Sequence, residues 1–248
     1  MIGITKTKTN SISKMTLEEI RNSGLHTNYT VTLDSGIIIN YPSTLDGGGT
    51  ELIKDYLKIF DILNKKYKNA FEWCSGFGIL GFEILGNGIS ENIYFSDIYQ
   101  PAIENCLETA INNNISEKVF GYVSDNIKCL PINKLFDLVV ANPPNSFNLD
   151  NWKVSKVEHH GLTSWEQYPK WDDDVRIGCD DGYKIHIEFF DNIADKMVEG
   201  GDILLLIVNG HKEEDYIVSL AEKNGFEFMT KYKTTASFGG EIFHFKLK

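Results

Sequence analysis

Phe71-Glu72-Trp73-Cys74-Ser75-Gly76-Phe77-Gly78-Ile79-Leu80-Gly81 is the stretch on which the fold turns. Ala70 to Cys74 reads as a strand and Ile79 to Leu85 as a helix, and glycines at 76, 78 and 81 satisfy G-x-G-x-x-G between them. In a strand–turn–helix such glycines let the backbone approach a ligand closely, and an acid about 20 residues further on reaches a ribose hydroxyl. Asp97, which ends the next apolar run (Asn92 to Ser96), stands at that distance. A tight turn with no ligand would need the glycines alone. The turn, the strand-end acid and their order together favour a bound ligand.

Strand and helix patterns alternate outward from this point. Leu52 to Lys66 carries apolar residues at the 3.6-residue helical period and leads into the first strand. Pro101 to Asn112 reads as a helix with proline in its first turn. Lys118 to Val123 and Phe136 to Ala141 read as strands, and Ile185 to Met197 as a helix closed by Glu199-Gly200-Gly201. Ile203 to Val208 reads as a fully buried strand, Asp215 to Asn224 as a helix, and Phe226 to Thr234 and Glu241 to Leu247 as two closing strands. Alternating β and α implies a doubly wound, mostly parallel α/β sheet. The last two strands have no helix between them, which predicts an antiparallel C-terminal edge. Before this region, residues 1–14 read as an arm and Met15 to Asn22 as a short helix. Tyr29 to Leu33 and Ile37 to Tyr41 read as a hairpin turning at Asp34-Ser35-Gly36.

The composition sets bounds on function. The chain has 248 residues, 42% hydrophobic and 24% charged, enough for a substantial core and unlike any disordered or fibrous class. Its longest aliphatic run, Ile203 to Val208, is six residues, whereas a spanning helix needs about 20. No apolar segment follows the basic N-terminus, so no signal peptide is expected. Cys74, Cys106, Cys129 and Cys179 form no C-x-x-C pair and read as reduced thiols, which places the protein in the cytoplasm. The sequons at Asn28 and Asn114 are then incidental. A net charge of −11 disfavours nucleic acid as the main partner, because phosphate binding relies on basic surface.

The glycines alone also fit NAD. Three features point to another ligand. Glu72 lies inside the strand end, where dinucleotide folds usually have an aliphatic residue. Asp125, in Val123-Ser124-Asp125-Asn126, ends the third strand and could accept a hydrogen bond from an adenine amino group. Asn142-Pro143-Pro144-Asn145 closes the fourth strand. With these residues the chain resembles the class I S-adenosylmethionine (SAM) dependent methyltransferases, and within them the Asn-Pro-Pro branch, especially the HemK-type protein-glutamine N-methyltransferases. Glu72 to Gly78 is similar to the family's acid-x-Gly-x-Gly-x-Gly, with Cys74 at the first glycine. Ser96 to Cys106 resembles the ribose-acid strand and its helix, and Gly47 to Ile53 the threonine-containing cofactor loop. Gly178 to Phe190 and Val198 to Ile207 resemble the C-terminal half. The resemblance spans residues 42–248. It implies a Rossmann-like, seven-stranded methyltransferase domain, with residues 1–41 as an N-terminal appendage.

The resemblance also implies site roles. Thr50, Glu72, Cys74, Gly76 and Gly78 would hold the methionine part of SAM. Asp97 and Ile98 would hold the ribose, Asp125 and Asn126 the adenine, and Asn142 would border both cofactor and acceptor. Asn142 and Pro143 would be the catalytic pair, accepting N–H bonds of the acceptor nitrogen so that its lone pair faces the methyl group. Orientation of that kind supplies roughly 7–11 kcal/mol. The fixed backbone of Pro143-Pro144 would set the carbonyl direction. The acceptor site would comprise Asn142, Pro143, Pro144, Asn145, Trp165 and Asp172, with no metal. Two departures bear on the substrate. Asn145 replaces the family's usual aromatic residue, and the helix and hairpin of residues 15–41 stand where HemK-type enzymes carry a helical substrate-engaging domain. Both favour a small amine or amino-acid-like acceptor over a glutamine of a protein.

Residues 145–183 form a long aperiodic stretch at the ligand-binding edge, with Trp152, Trp165, Trp171, Tyr168, Glu158, Glu166 and Asp172 to Asp174. They read either as a lid for a cationic acceptor or as a loop pinned by its tryptophans. His159-His160 lacks ligand spacing and reads as surface, while His186, His211 and His244 read as structural. The open readings are N-methylation of a small molecule or protein side chain, methylation of nucleic-acid amino groups, a catalytically silent SAM-binding partner subunit, and an NAD oxidoreductase.

Overall fold

The computed structural model describes residues 28–42, 49–131, 133, 135–145, 147–150, 153, 179–208, 211–237 and 239–248. The expected arm and helix of residues 1–22 lie outside these residues. Strands β1 (Asn28–Thr32) and β2 (Ile38–Pro42) pair antiparallel as the expected hairpin, with Gly36 at φ 88° in its turn. Then come α1 (Gly49–Leu63), β3 (Tyr67–Trp73), α2 (Ile79–Gly86), β4 (Ser90–Asp97), α3 (Gln100–Asn112), β5 (Val119–Val123) and β6 (Phe136–Ala141). The second half holds α4 (Lys184–Ile193), β7 (Met197–Ile207), α5 (His211–Lys223), β8 (Phe226–Lys233) and β9 (Glu241–Leu247).

The main sheet has seven strands in the order β5-β4-β3-β6-β7-β9-β8. Strands β5 to β7 are parallel, and β9 runs antiparallel to both of its neighbours. The antiparallel C-terminal pairing is as expected; the strand that reverses is the last one, slotted between β7 and the edge strand β8. Side-chain alternation divides the core in two. Leu204 and Leu206 of β7 pack with the face that holds Leu52, Ile53 and Ile59 of α1, Leu80 and Phe82 of α2, and Ile103 of α3. Ile203, Leu205 and Ile207 pack with Phe189, Phe190 and Ile193 of α4 and Ile217 of α5.

Two boundaries differ from expectation. Helix α1 ends at Leu63, because Asn64 turns left-handed (φ 47°) and closes the helix with its N–H on the Phe60 carbonyl at 2.9 Å. Glu199-Gly200-Gly201 does not cap a helix. After Ile193 the chain makes one 3-10 turn (Ala194–Lys196), and the glycines lie inside β7. The β6–β7 register jumps there, from Phe136 opposite Met197 to Leu138 opposite Asp202, and Gly200 (φ 72°) absorbs the extra residues as a bulge.

The hairpin packs on the same core face as α1 to α3 through Val31, Leu33, Ile37, Ile39 and Tyr41. Asn113, just past α3, treats β2 as a strand partner: its Oδ1 accepts the Ile38 N–H (2.9 Å) and its Nδ2 donates to the Ile38 carbonyl (2.7 Å). No helix among the described residues is long and apolar enough to cross a membrane.

Toward the amino ends of the parallel strands, Asp202 is 1% exposed. Its Oδ2 accepts from Lys65 Nζ (2.7 Å) and Tyr67 OH (2.9 Å), and His244 Nε2 lies 2.9 Å from its Oδ1. Burial alone would raise the Asp202 pKa, but the bonds from His244, Lys65 and Tyr67 outweigh it and hold the carboxyl below its ordinary value. Asp202→Ala, which strands these partners, is expected to cost about 3 kcal/mol in denaturant unfolding. A depressed carboxylate stabilises above its unfolded pKa. The stability gap between wild type and Asp202→Asn should therefore narrow as pH falls below about 4.

Candidate functional site

Strands β4 and β5 follow β3 to one side, whereas β6 returns to pair on the other. The crevice between the carboxyl ends of β3 and β6 is therefore the switch point at which doubly wound sheets bind ligands. Trp73, the last residue of β3, pairs with Ala141, the last of β6, and with Ser96 of β4. Cys74, Asp97 and Asn142 consequently leave neighbouring strands at one level.

The turn after β3 is shaped by backbone more than by side chains. Cys74 (φ 54°), Gly76 (φ 52°) and Gly78 (φ 75°) are all left-handed. Cys74 thus adopts at the first-glycine position the conformation that glycine takes without strain. Ser75 N–H donates to the Ser96 carbonyl (3.0 Å) and Gly78 N–H to the Ser75 carbonyl (2.8 Å). Asp97 fastens the turn from β4: its Oδ2 accepts the Gly76 N–H and its Oδ1 the Tyr99 N–H, each at 2.9 Å. Burial raises the Asp97 pKa against the pull of the Tyr99, Gly76 and Ile98 amides. Burial, aided by Asp97, Asp180 and Glu72, pushes the Cys74 thiol up, which keeps it un-ionised.

Glu72 is 3% exposed and lies beneath the turn, where its Oε2 accepts the Gly81 N–H at 2.7 Å in the first turn of α2. Burial pushes its pKa up to about 8, the Asp97 charge adds to this, and the Gly81 and Leu80 amides oppose it. Gly81 has no room for a methyl group. A Cβ there would come 2.4 Å from Phe95 Cε1, 2.7 Å from Ile93 and 2.8 Å from Glu72 Oε2. Helix α1 arrives equally close, since a Cβ on Gly49 would meet Ile79 at 2.9 Å. That contact brings Thr50 to the start of α2. Tyr41 of the hairpin stacks on Phe77 within the turn, with centroids 4.0 Å apart and planes 5° apart.

The other candidate residues surround this centre. The Asp125 side chain is exposed, 3.6 Å from Lys128 Nζ, and that lysine also meets Glu188 at 2.8 Å. Asn126 is left-handed (φ 60°) and buried, and its Nδ2 donates to the Ile185 carbonyl at 2.8 Å, linking the end of β5 to α4. Beyond β6, Asn142 and Asn145 are half-buried and Pro143 and Pro144 buried. Tyr56 OH pins the strand end by donating to the Ala141 carbonyl at 3.0 Å. Asn145 Nδ2 donates to the Pro143 carbonyl at 2.7 Å, and Asn145 Oδ1 accepts the Val208 N–H at 3.2 Å. Trp165, Asp172 and most of the expected acceptor loop lie outside the described residues. No cluster of metal-binding side chains occurs among the described residues.

One polar pair was not anticipated as part of this region. Asp180, fully buried, caps α4 by accepting the Ile185 N–H (2.8 Å) and the His186 N–H (3.1 Å), and lies 2.6 Å from His186 Nδ1. His186 sits edge-on to Trp73 and to Phe147, and Phe147 stacks on Tyr183. An Asp followed by Gly before a helical period signals a cap. That the cap also grips a histidine beside β3 has no sequence signal.

The comparisons with known proteins agree with this geometry. The family described as Methyltransferase small domain matches residues 44–156. No curated protein matches the chain. Among solved structures it is similar to a methyltransferase from Pyrococcus furiosus (14% identity, TM-score 0.53, 78% of this chain and 81% of that one). It is also similar to a tRNA methyltransferase of M. jannaschii (16% identity, TM-score 0.55, 90% of this chain and 58% of that one). A third is the N-methyltransferase NodS of Bradyrhizobium japonicum (10% identity, TM-score 0.51, 82% and 97%). At these identities the structures speak for the fold; the domain match over the glycine turn, Asp97 and the Asn-Pro-Pro segment speaks for the chemistry. The protein is a SAM-dependent methyltransferase.

Glu72 offers a test of the buried turn. Its folded pKa lies above the unfolded 4.5, so folding takes up a proton between about pH 4.5 and 8 and stability declines across that window. Glu72→Gln stays neutral throughout. Its unfolding free energy relative to wild type should therefore rise with pH, by a few kcal/mol between pH 5 and 8, as read by urea denaturation.

Proposed function

We propose that this methyltransferase acts on nitrogen, transferring the methyl group of SAM to an amine or amide of a small, amino-acid-like molecule or of a protein side chain. The observation that carries this reading is the pairing of Trp73 with Ala141, which sets Asn142-Pro143-Pro144 beside the glycine turn. The residues present fit the cofactor. Three successive left-handed positions open the backbone of the turn, and Asp97 and Asp125 supply carboxylates at the ends of β4 and β5. In this reading Thr50, Glu72, Cys74, Gly76 and Gly78 surround the methionine part. Asp97 and Ile98 take the ribose, and Asp125 and Asn126 the adenine.

When bound, SAM supplies a methyl carbon on a positively charged sulfur. The work of this chain is to aim a nitrogen lone pair at that carbon. The Asn142 side-chain oxygen accepts an N–H of the acceptor and stabilises positive charge developing on nitrogen. The Pro143 carbonyl, fixed by the proline backbone, shapes the same pocket. Positioning and exclusion of water then supply most of the rate, with no strong base needed. Likeness to NodS, described as an N-methyltransferase, and to the HemK-type pattern of Asn142-Pro143-Pro144 supports nitrogen as the target.

A second reading is an RNA acceptor. The M. jannaschii tRNA methyltransferase superposes on 90% of the chain, so the net charge of −11 does not set nucleic acid aside. Radiolabelled SAM with a cell extract, split by size and treated with protease or nuclease, separates the readings. Label passing a small-pore filter marks a metabolite, protease-sensitive label a protein, and nuclease-sensitive label an RNA. Asn142→Ala should reduce transfer about 100-fold or more while SAM affinity by calorimetry stays within about threefold. Equal loss of SAM binding would return Asn142 to a structural role.

A further inference from the structure

Asn145 is fastened at both ends to backbone. Its Nδ2 donates to the Pro143 carbonyl at 2.7 Å, and its Oδ1 accepts the N–H of Val208, just past β7, at 3.2 Å. Rotating the amide away would forfeit both bonds at once, in a region where Pro143 and Pro144 are buried and have no N–H of their own to offer. The Pro143 carbonyl is one of the two oxygens expected to receive the acceptor nitrogen. A carbonyl accepts along two in-plane lone-pair directions, and the short bond from Asn145 takes one of them and sets a bulky amide beside the other.

We propose that Asn145 is a specificity-determining residue. By holding the Pro143 carbonyl, it leaves the Asn142 side-chain oxygen as the main hydrogen-bond acceptor for the incoming nitrogen. The site then selects a nitrogen bearing a single hydrogen, a secondary amine or a ring N–H, over a primary amine or amide. The second N–H of a primary group would lose its water on entry and find its carbonyl already engaged, a penalty that discriminates strongly between substrates. The proposal rests on the reading of Asn142 and Pro143 as the acceptor contacts. The transfer forms one N–C bond as the methyl–sulfur bond breaks with its electron pair remaining on sulfur, and the single N–H proton passes to water. The methylated nitrogen therefore keeps no hydrogen.

The test uses full-length wild type and Asn145→Ala, methyl-labelled SAM and size-fractionated cell extract, with the labelled nitrogen identified by mass spectrometry and NMR. Wild type should yield a labelled nitrogen without hydrogen. Asn145→Ala should bind SAM within threefold of wild type, turn over the wild-type acceptor at least tenfold more slowly, and begin to label primary amines or amides that wild type leaves untouched. A wild-type product whose labelled nitrogen still bears hydrogen overturns the proposal, whether or not the variant folds. So does a variant with unchanged rate and products. Absence of label in every fraction, from a protein that binds SAM, refutes the reading of Asn142 and Pro143, and the proposal falls with it.

Discussion

The 2.7 Å bond from the Gly81 N–H to the buried Glu72 carboxyl is the constraint around which the site is arranged. It ties the last turn of β3 to the first turn of α2 under a loop with few side chains of its own. The bond can form only because position 81 lacks a Cβ, which would collide with Phe95, Ile93 and Glu72 itself. With α2 held this close, the intervening residues have no room for an ordinary loop and take the left-handed backbone at 74, 76 and 78. Asp97 then reaches across from β4 to fix the middle of the turn through the Gly76 N–H. Two carboxyls, one below and one beside, thus hold a surface made mostly of peptide groups.

These contacts explain why the sheet was largely legible in the sequence. Aliphatic runs such as Ile203 to Ile207 have no polar face, so they must be buried on both sides, and the glycine spacing at 76, 78 and 81 has few meanings after such a strand. Glu199-Gly200-Gly201 was misleading because a glycine that ends a helix and a glycine that bulges a strand look alike in composition. The choice is made by where Met197 and Asp202 pair with β6, a tertiary fact. Asn64 likewise ends α1 by its backbone conformation, which local apolar spacing does not encode.

The site was legible in its positions and not in its bonds. Register placed Glu72, Cys74, Asp97 and Asn142 together, as the order of motifs implied. Sequence did not disclose that Asn145 bonds two backbone groups, since side-chain-to-backbone pairing depends on the end of β7, about sixty residues away. His186 has the same lesson: its grip on Asp180 and its contact with Trp73 arise where α4 crosses the end of β3. Pairs of that kind are set by how layers stack, which no single segment specifies.

The cluster of Lys65, Tyr67, Asp202 and His244 lies at the opposite end of the sheet from the glycine turn. The molecule's charged anchorage and its chemistry are therefore carried by different residues on the same strands. A lineage built on this plan can vary the loops at one end, and with them its acceptor, while the anchorage at the other is inherited unchanged. Such separation makes a fold evolvable: novelty at the rim draws little on the robustness of the base.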